Sequence, residues 1–460
     1  MPASTIDPHA IASLVARLDS PDYDRWAAQI RRTGGCRQPI NMRGTVLHVD
    51  PANGQRLHTY TTHSEPGGVL RLPCKTRRAS RCPACAKTYR GDTYQLIRAG
   101  LVGGKGVPPS VSGHPCLFVT FTAPSFGPVH TRRENNGKVL PCHSRRDATP
   151  CPHGHVASCS ARHHADEEIL GEPLCPDCYD YTGSVLFNAV ASLLWARFAD
   201  ALRRRLATAG GLSLRELREH LVLSYAKVAE YQRRGVVHLH AVIRLDGPDG
   251  PTSPPPAWAT TDVLTSAVQG AAPAVSVKIS TTSHEPVRVL RWGRQLDIRP
   301  ITPGGDLTEQ AVAAYVAKYA TKAAECVGTL DRRIYPLEDL STLGLRDHPR
   351  RLISECFRLG ALPHLAELRL AHWAHMLGYR GHYSTRSRRY STTIGKLRSV
   401  RIDHARKHEI TTGRLPIFSE DQPVTIARWA YAGRGLTSGE QLLAAALAGT
   451  PQIGGSDGAR

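Results

Sequence analysis

The chain has 460 residues, too many for one small core, so two or three domains are the natural division. Its 59 Lys and Arg against 39 Asp and Glu leave a net charge of +20, which points to a polyanionic partner, nucleic acid before any other. The N-terminal stretch carries acids and no apolar run, and no window approaches roughly 18 uninterrupted apolar residues, so we expect a cytoplasmic chain with no membrane span whose 12 cysteines serve metals rather than disulfides.

Taken in order, a short helix is predicted over residues 6–18. Cys36, Cys74 and the pair Cys82-Pro83-Ala84-Cys85 follow, with Lys75, Arg77, Arg78 and Arg81 between them. This is the shape of a zinc knuckle, and tetrahedral zinc takes four ligands: Cys36, Cys74, Cys82 and Cys85 supply them. A helix is predicted over 88–101. Next comes Cys116-Leu117-Phe118-Val119-Thr120-Phe121-Thr122-Ala123-Pro124-Ser125, an apolar run with alternating Thr that reads as a buried strand ending at the proline. Thr120, Thr122 and Ser125 either face a phosphate or satisfy their hydroxyls within the strand.

Residues 130–180 are polar and hold Cys142, Cys151, His153, His155, Cys159, His163, His164, Cys175 and Cys178. A segment this poor in apolar residues folds only around metal. Of several possible ligand sets for a second zinc we favour Cys159, His163, Cys175 and Cys178. The clearest helix, predicted over 184–208, has a broad apolar stripe and ends at Gly210-Gly211; it reads as core packing with no catalytic role.

Two strands follow, over 222–232 and from Val236 to Ile243, joined by the short turn Arg233-Arg234-Gly235. The second carries His238 and His240 at i and i+2, which a strand projects to the same side. Neighbouring imidazoles on one face are a ready pair of metal ligands. Glu230 and Gln232 share a face of the first strand, and either can add an oxygen ligand. By itself a His-x-His in a strand is more often two ordinary residues. A helix near 262–271 and strands over 275–281 and 288–301 come next.

Asp306-Leu307-Thr308-Glu309 reads as a helix start capped by Asp306. The helix runs through Tyr315, Lys318, Tyr319 and Lys322, with the tyrosines four apart on one face. Val312, Tyr315, Val316 and Tyr319 equally spell a core-facing stripe. Residues 380–408 hold nine Lys and Arg against one acid, Asp403, with Tyr379, Tyr383 and Tyr390 interleaved or just before. Arg386, Arg388, Arg389, Lys396 and Arg398 suit phosphate contact and the tyrosines suit base stacking; a solvated basic face is the plainer alternative.

A His pair on a strand, a Tyr pair on a later helix and a strongly basic chain have one joint chemical meaning. A divalent ion on His238 and His240 polarises a phosphodiester, and a tyrosine beside it attacks the phosphorus with help from a nearby lysine. Phe118-Val119-Thr120-Phe121-Thr122-Ala123-Pro124-Ser125, Val237-His238-Leu239-His240 and Tyr315-Val316-Ala317-Lys318-Tyr319 resemble, in this order, the three motifs of rolling-circle replication initiators in the His-hydrophobe-His endonuclease superfamily. Much of residues 36–400, including Leu174-Cys175-Pro176-Asp177-Cys178-Tyr179-Asp180-Tyr181, is similar to actinobacterial plasmid and integrative-element initiators of the RepSA type.

The resemblance implies an α+β fold whose central antiparallel sheet carries the histidines, flanked by helices, with zinc-ribbon-like Cys-rich modules and a basic C-terminal helical region. It implies Mg²⁺ or Mn²⁺ as the working ion, His238 and His240 as ligands, Tyr315 and Tyr319 as nucleophiles, and Lys318 as assisting base or phosphate contact. For the third ligand we choose Glu230 over Gln232, because a carboxylate suits a hard cation better. The expected layout is an N-terminal region 1–107 with the four-cysteine module, a nicking domain 108–330 with the insertion 130–180, and a basic region 331–460. The expected activity is metal-dependent nicking of single-stranded origin DNA, leaving a 5′-phosphotyrosine and a 3′-hydroxyl primer. No phosphate-binding loop of the Walker type is present, so a host helicase and polymerase are the expected partners. A two-tyrosine rolling-circle transposase and a zinc-scaffolded DNA-binding regulator without enzyme activity are the rival readings.

Overall fold

The computed structural model describes residues 7–281, 286–302, 304–305, 307–322, 324–411 and 424–449. It is an α+β protein of helices and antiparallel sheets, as expected. The chain divides into two compact units, Met1–Asp92 together with Ile394–Arg460, and Thr93–Thr393. The boundaries expected at 107 and 330 therefore move. Composition follows the chain locally, whereas the strand Val424–Arg434 pairs along Ile40–Val49, with Ile40 opposite Arg434 and Val49 opposite Val424. Pairing across nearly the whole sequence makes one unit of the two ends. In the same unit Trp26, Ile30 and Ala444 are fully buried together, and Arg17 bonds Glu440 at 2.8 Å.

The other unit is built on a five-stranded antiparallel sheet. Its order is Leu296–Pro300, Cys116–Phe121, Val237–Asp246, Val222–Tyr231, Ser384–Arg386, so the strand with the histidines is central. Alternation sorts its side chains cleanly. Val237, Leu239, Ala241, Ile243 and Leu245 join Leu117, Val119 and Phe121 in the main core, together with Leu186, Val190, Leu194 and Phe198 of the helix Tyr181–Ala209. Asp180 caps that helix by accepting from Gly183 N at 2.9 Å. By length and composition the helix is apolar enough to cross a membrane, and most of its apolar stretch is buried here in the core.

The opposite sheet face carries the polar residues. His238, His240, Val242, Arg244 and Asp246 alternate along the central strand, beside Phe118 and Thr120 on one neighbour and Ser224 and Glu230 on the other. At its far end Asp246 is fully buried and bonds Arg244 at 2.6 Å, His114 at 2.8 Å and Ser224 at 2.5 Å. Those bonds satisfy charges that would otherwise be too expensive to bury.

Several local expectations shift. The strand predicted over 288–301 is two, Arg288–Leu290 and Leu296–Pro300. The helix predicted to run through Lys322 spans Glu309–Tyr319, and its cap is Thr308, whose hydroxyl accepts from Ala311 N at 3.2 Å. Asp306, the expected cap, lies outside the described residues. Tyr379, Tyr383 and Tyr390, expected to stack on bases, are buried; the first two pack in the main core, and Tyr390 lies 5.2 Å from the Arg244 guanidinium. Their phenols found protein partners because burying an aromatic ring is favourable whenever its hydroxyl has one, and Tyr390 donates to Ile97 O at 3.2 Å.

Candidate active site

The hairpin register sets Glu230 directly opposite His238, and His240 opposite Thr120 on the other neighbour. Glu230 Oε2 lies 3.0 Å from His238 Nε2 and 2.9 Å from His240 Nε2, and the two Nε2 atoms are 3.1 Å apart. Three donor atoms thus form a nearly equilateral triangle. Adjacent ligands on an octahedral ion with bonds of about 2.1 Å stand about 3.0 Å apart. The donor set, one carboxylate and two imidazoles, and its spacing both fit a hard divalent ion.

Gln232, the other oxygen donor considered, is engaged elsewhere: its Oε1 accepts from Arg234 Nε at 2.9 Å. Burial opposes ionisation of Glu230, but its bonds to His238 and His240 prevail and hold the carboxyl down to about 2. Burial, aided by the neighbouring His238 and opposed by the bond to Glu230, holds His240 below its usual range, which favours the neutral imidazole. Its Nδ1 is 3.0 Å from Thr120 Oγ1. With Nδ1–H donating there, the Nε2 lone pair is directed at the triangle. The Thr120 hydroxyl is thus engaged with His240. Thr122 is occupied too, its hydroxyl donating to Gln295 O. Phe118 stacks on the other side of His240, centroids 5.9 Å apart and planes within 6°.

The helix Glu309–Tyr319 turns Val312, Ala313, Val316 and Ala317 inward, so the apolar stripe seen in sequence is real but passes beside the tyrosines. Tyr315 keeps 36% of its surface exposed. Its Oη is 3.3 Å from His240 Nε2. Burial, then the negative charge of Glu230, pushes this phenol well above its ordinary value, so it does not ionise unaided. Tyr319 stacks against His240 at 5.9 Å and lies 4.8 Å from Tyr315. Lys318 Nζ and Lys322 Nζ sit 5.4 and 5.2 Å from the Tyr319 ring.

One residue escaped the sequence reading. Asn188, fully buried in the helix taken as mere packing, donates to Gly235 O and Leu377 O at 2.9 Å each and accepts from Val237 N at 2.9 Å. It pins the end of the turn from which the histidine strand departs. Its only signal was an amide within an apolar stripe.

The cysteines also gather. Cys36, Cys74, Cys82 and Cys85 form one cluster, as expected. The set favoured in the insertion does not form. Cys159 and His163 join His130 and Cys142, whereas Cys175 and Cys178 join Cys151 and His153. Proximity in sequence suggested one site, but the chain crosses over between the pairs. Of the five basic residues chosen for DNA, Arg386, Arg388 and Arg389 belong to one unit and Lys396 and Arg398 to the other. Arg389 donates to Pro248 O, and Arg398 pairs with Asp92 at 3.5 Å.

The histidine–carboxylate triangle spans two neighbouring antiparallel strands and is faced by paired tyrosines. Comparison with known proteins gives the class of this chain, the replication initiators. Residues 22–449 match the RepSA family, described as replication initiator protein, pSAM2, and the chain belongs to that family. It is 50% identical to the replication initiator protein of Streptomyces ambofaciens over 98% of this chain and 96% of that relative. No solved structure matches it.

Proposed function

We propose that this initiator opens replication by nicking single-stranded origin DNA through tyrosine transesterification. The observation that carries the reading is the Tyr315 hydroxyl 3.3 Å from His240 Nε2, at the edge of the Glu230–His238–His240 triangle. An Mg²⁺ or Mn²⁺ ion, if held by those three residues, would supply Lewis-acid polarisation of the scissile phosphate. The remaining work falls to the chain. The Tyr315 oxygen attacks phosphorus, the bond to the 3′ oxygen breaks, and the phenol proton is balanced by one taken up at the departing oxygen.

A phosphodiester anion enters and a phosphotyrosine diester leaves, so no bond energy is lost and the step is reversible. Tyr319, whose ring lies 4.8 Å from that of Tyr315, carries out the second exchange that closes the cycle in this reading. Lys318 and Lys322 put positive charge next to the Tyr319 ring, where they favour an approaching phosphate and a developing phenolate. The basic balance of the whole chain favours DNA as the substrate. Cys36, Cys74, Cys82 and Cys85 are proposed to hold a structural zinc: Cys36 Sγ and Cys82 Sγ are 3.9 Å apart, near the edge of about 3.7 Å for tetrahedral zinc with sulfur ligands.

The test is a labelled single-stranded origin oligonucleotide incubated with protein and Mg²⁺ or Mn²⁺, then run under denaturing conditions. A stable protein–DNA band is expected with the native chain. It should vanish in Tyr315→Phe with Tyr319→Phe, and nearly vanish in His238→Ala with His240→Ala. A band surviving both double variants refutes the assignment, and tight binding with no band at all supports a purely DNA-binding regulator.

A further inference from the structure

We infer that residues 130–178 form a module of two interleaved zinc sites, which braces the turn between the Glu230 and histidine strands. The proposal stands independently of the nicking chemistry. Along the chain the ligands come in four pairs. His130 and Cys142 are the first, Cys151 and His153 the second, Cys159 and His163 the third, and Cys175 and Cys178 the fourth. The first and third pairs gather in one cluster and the second and fourth in the other. Each metal thus ties together segments separated by ligands of its neighbour, so neither half can unfold while both ions are held.

The spacings identify the metal. Tetrahedral zinc, with bonds of about 2.0 Å to nitrogen and 2.3 Å to sulfur, sets its ligands about 3.3 Å apart for two nitrogens, 3.5 Å for nitrogen and sulfur and 3.7 Å for two sulfurs. In the first cluster His130 Nδ1 and His163 Nε2 are 3.3 Å apart, and Cys159 Sγ is 3.6 Å from His163 Nε2. In the second, Cys151 Sγ and Cys175 Sγ are 3.6 Å apart, and His153 Nδ1 lies 3.3 and 3.8 Å from Cys178 and Cys175. These edges exceed the 2.9 to 3.1 Å of the Glu230 triangle, so this part of the chain is shaped for a different coordination.

Outer contacts agree. His163 Nδ1 bonds Glu167 at 2.6 Å, which leaves Nε2 as the ligating atom, and Thr131 N donates to Cys142 Sγ at 3.1 Å, as a backbone amide does to a thiolate. Among the residues of the insertion the fully buried one is Cys142, so cysteine stands where a core residue would. The module has a mechanical consequence. Arg233, in the turn, donates to Ala165 O and, at 3.1 Å, to Glu167 O. Gly171, at φ +94°, brings its backbone against that of Arg233 so closely that a Cβ would stand 2.4 Å from the Arg233 carbonyl.

Zinc counted by elemental analysis and native mass spectrometry tests this on the full chain. With Cys82→Ser removing the N-terminal site, two zinc ions per chain are expected to remain. Cys159→Ser and Cys178→Ser should each remove one more, and the two together should remove both. Loss of a single ion by that pair combined would mean one shared site and overturn the proposal. Because such variants can fail to fold, cobalt-substituted native chain gives a second reading. Bands of mixed nitrogen and sulfur ligation, distinct from those of the all-sulfur N-terminal cluster, should fill over two equivalents; their saturation at a single equivalent would also overturn it.

Discussion

Thr120 Oγ1 and His240 Nδ1 stand 3.0 Å apart, across two neighbouring strands and 120 residues of sequence. The bond fixes which ring nitrogen of His240 faces Glu230. Losing an outer partner of a ligating histidine typically weakens metal binding about 10–100-fold. Thr120→Val should therefore lower Mn²⁺ affinity by that order in a calorimetric or spin-resonance titration, while Thr120→Ser should keep it. Equal affinity in all three chains would show that His240 is oriented by packing on Phe118 alone.

The tyrosines are not equivalent. Tyr315 meets His240 Nε2 at 3.3 Å, whereas Tyr319 stacks on the same ring with centroids 5.9 Å apart. Tyr315→Phe alone should cut the first covalent adduct on the order of 10²-fold or more, and Tyr319→Phe much less. Mapping the DNA-linked peptide in each variant checks the assignment; a native adduct found mainly on Tyr319 reverses it.

Asn188→Ala removes an amide whose three bonds leave Gly235 O, Leu377 O and Val237 N unpaired in the interior. Each buried polar group left alone costs about 1–3 kcal/mol, so a loss of about 3 kcal/mol or more is expected. Urea unfolding measures it. Asn188→Leu should be as damaging despite its better helix propensity, because the missing partners and not the helix set the cost.

Acid should weaken the fold through His348. Burial holds this imidazole down to about 4, against 6.5 for a free histidine, with Nε2 donating to Arg234 O at 3.0 Å. Below pH 6.5 the unfolded chain takes up a proton that the folded one refuses until about pH 4. Stability is therefore flat above this window and falls as pH drops through it, by about 3 kcal/mol at the bottom. Comparing urea midpoints at pH 7 and pH 4.5 tests the sign; His348→Gln should reduce the slope, and an unchanged slope would mean that other groups carry it.

Two periodicities were readable without coordinates. The spacing of His238 and His240 put them on one side of a strand, because side chains alternate, and the spacing of Tyr315 and Tyr319 put them on one side of a helix. Whether the helix turned that side to the core or to the histidines was open, since periodicity states which residues share a face and not what the face meets. Glu230 and Gln232 had the same ambiguity. The strand register sets Glu230 across from His238, and Gln232 accepts from Arg234.

Longer connections were out of reach for the same reason. The Cys-x-x-Cys pairs announced metal, but their partners were set by where the chain crosses itself, so Cys159 and Cys175 parted company. Tyr379, Tyr383 and Tyr390 read as a stacking surface beside their arginines until packing enclosed them. Residue type and local spacing thus determined the chemistry this protein has at its disposal. Contacts between distant segments, which no short-range pattern encodes, decided which of those groups meet.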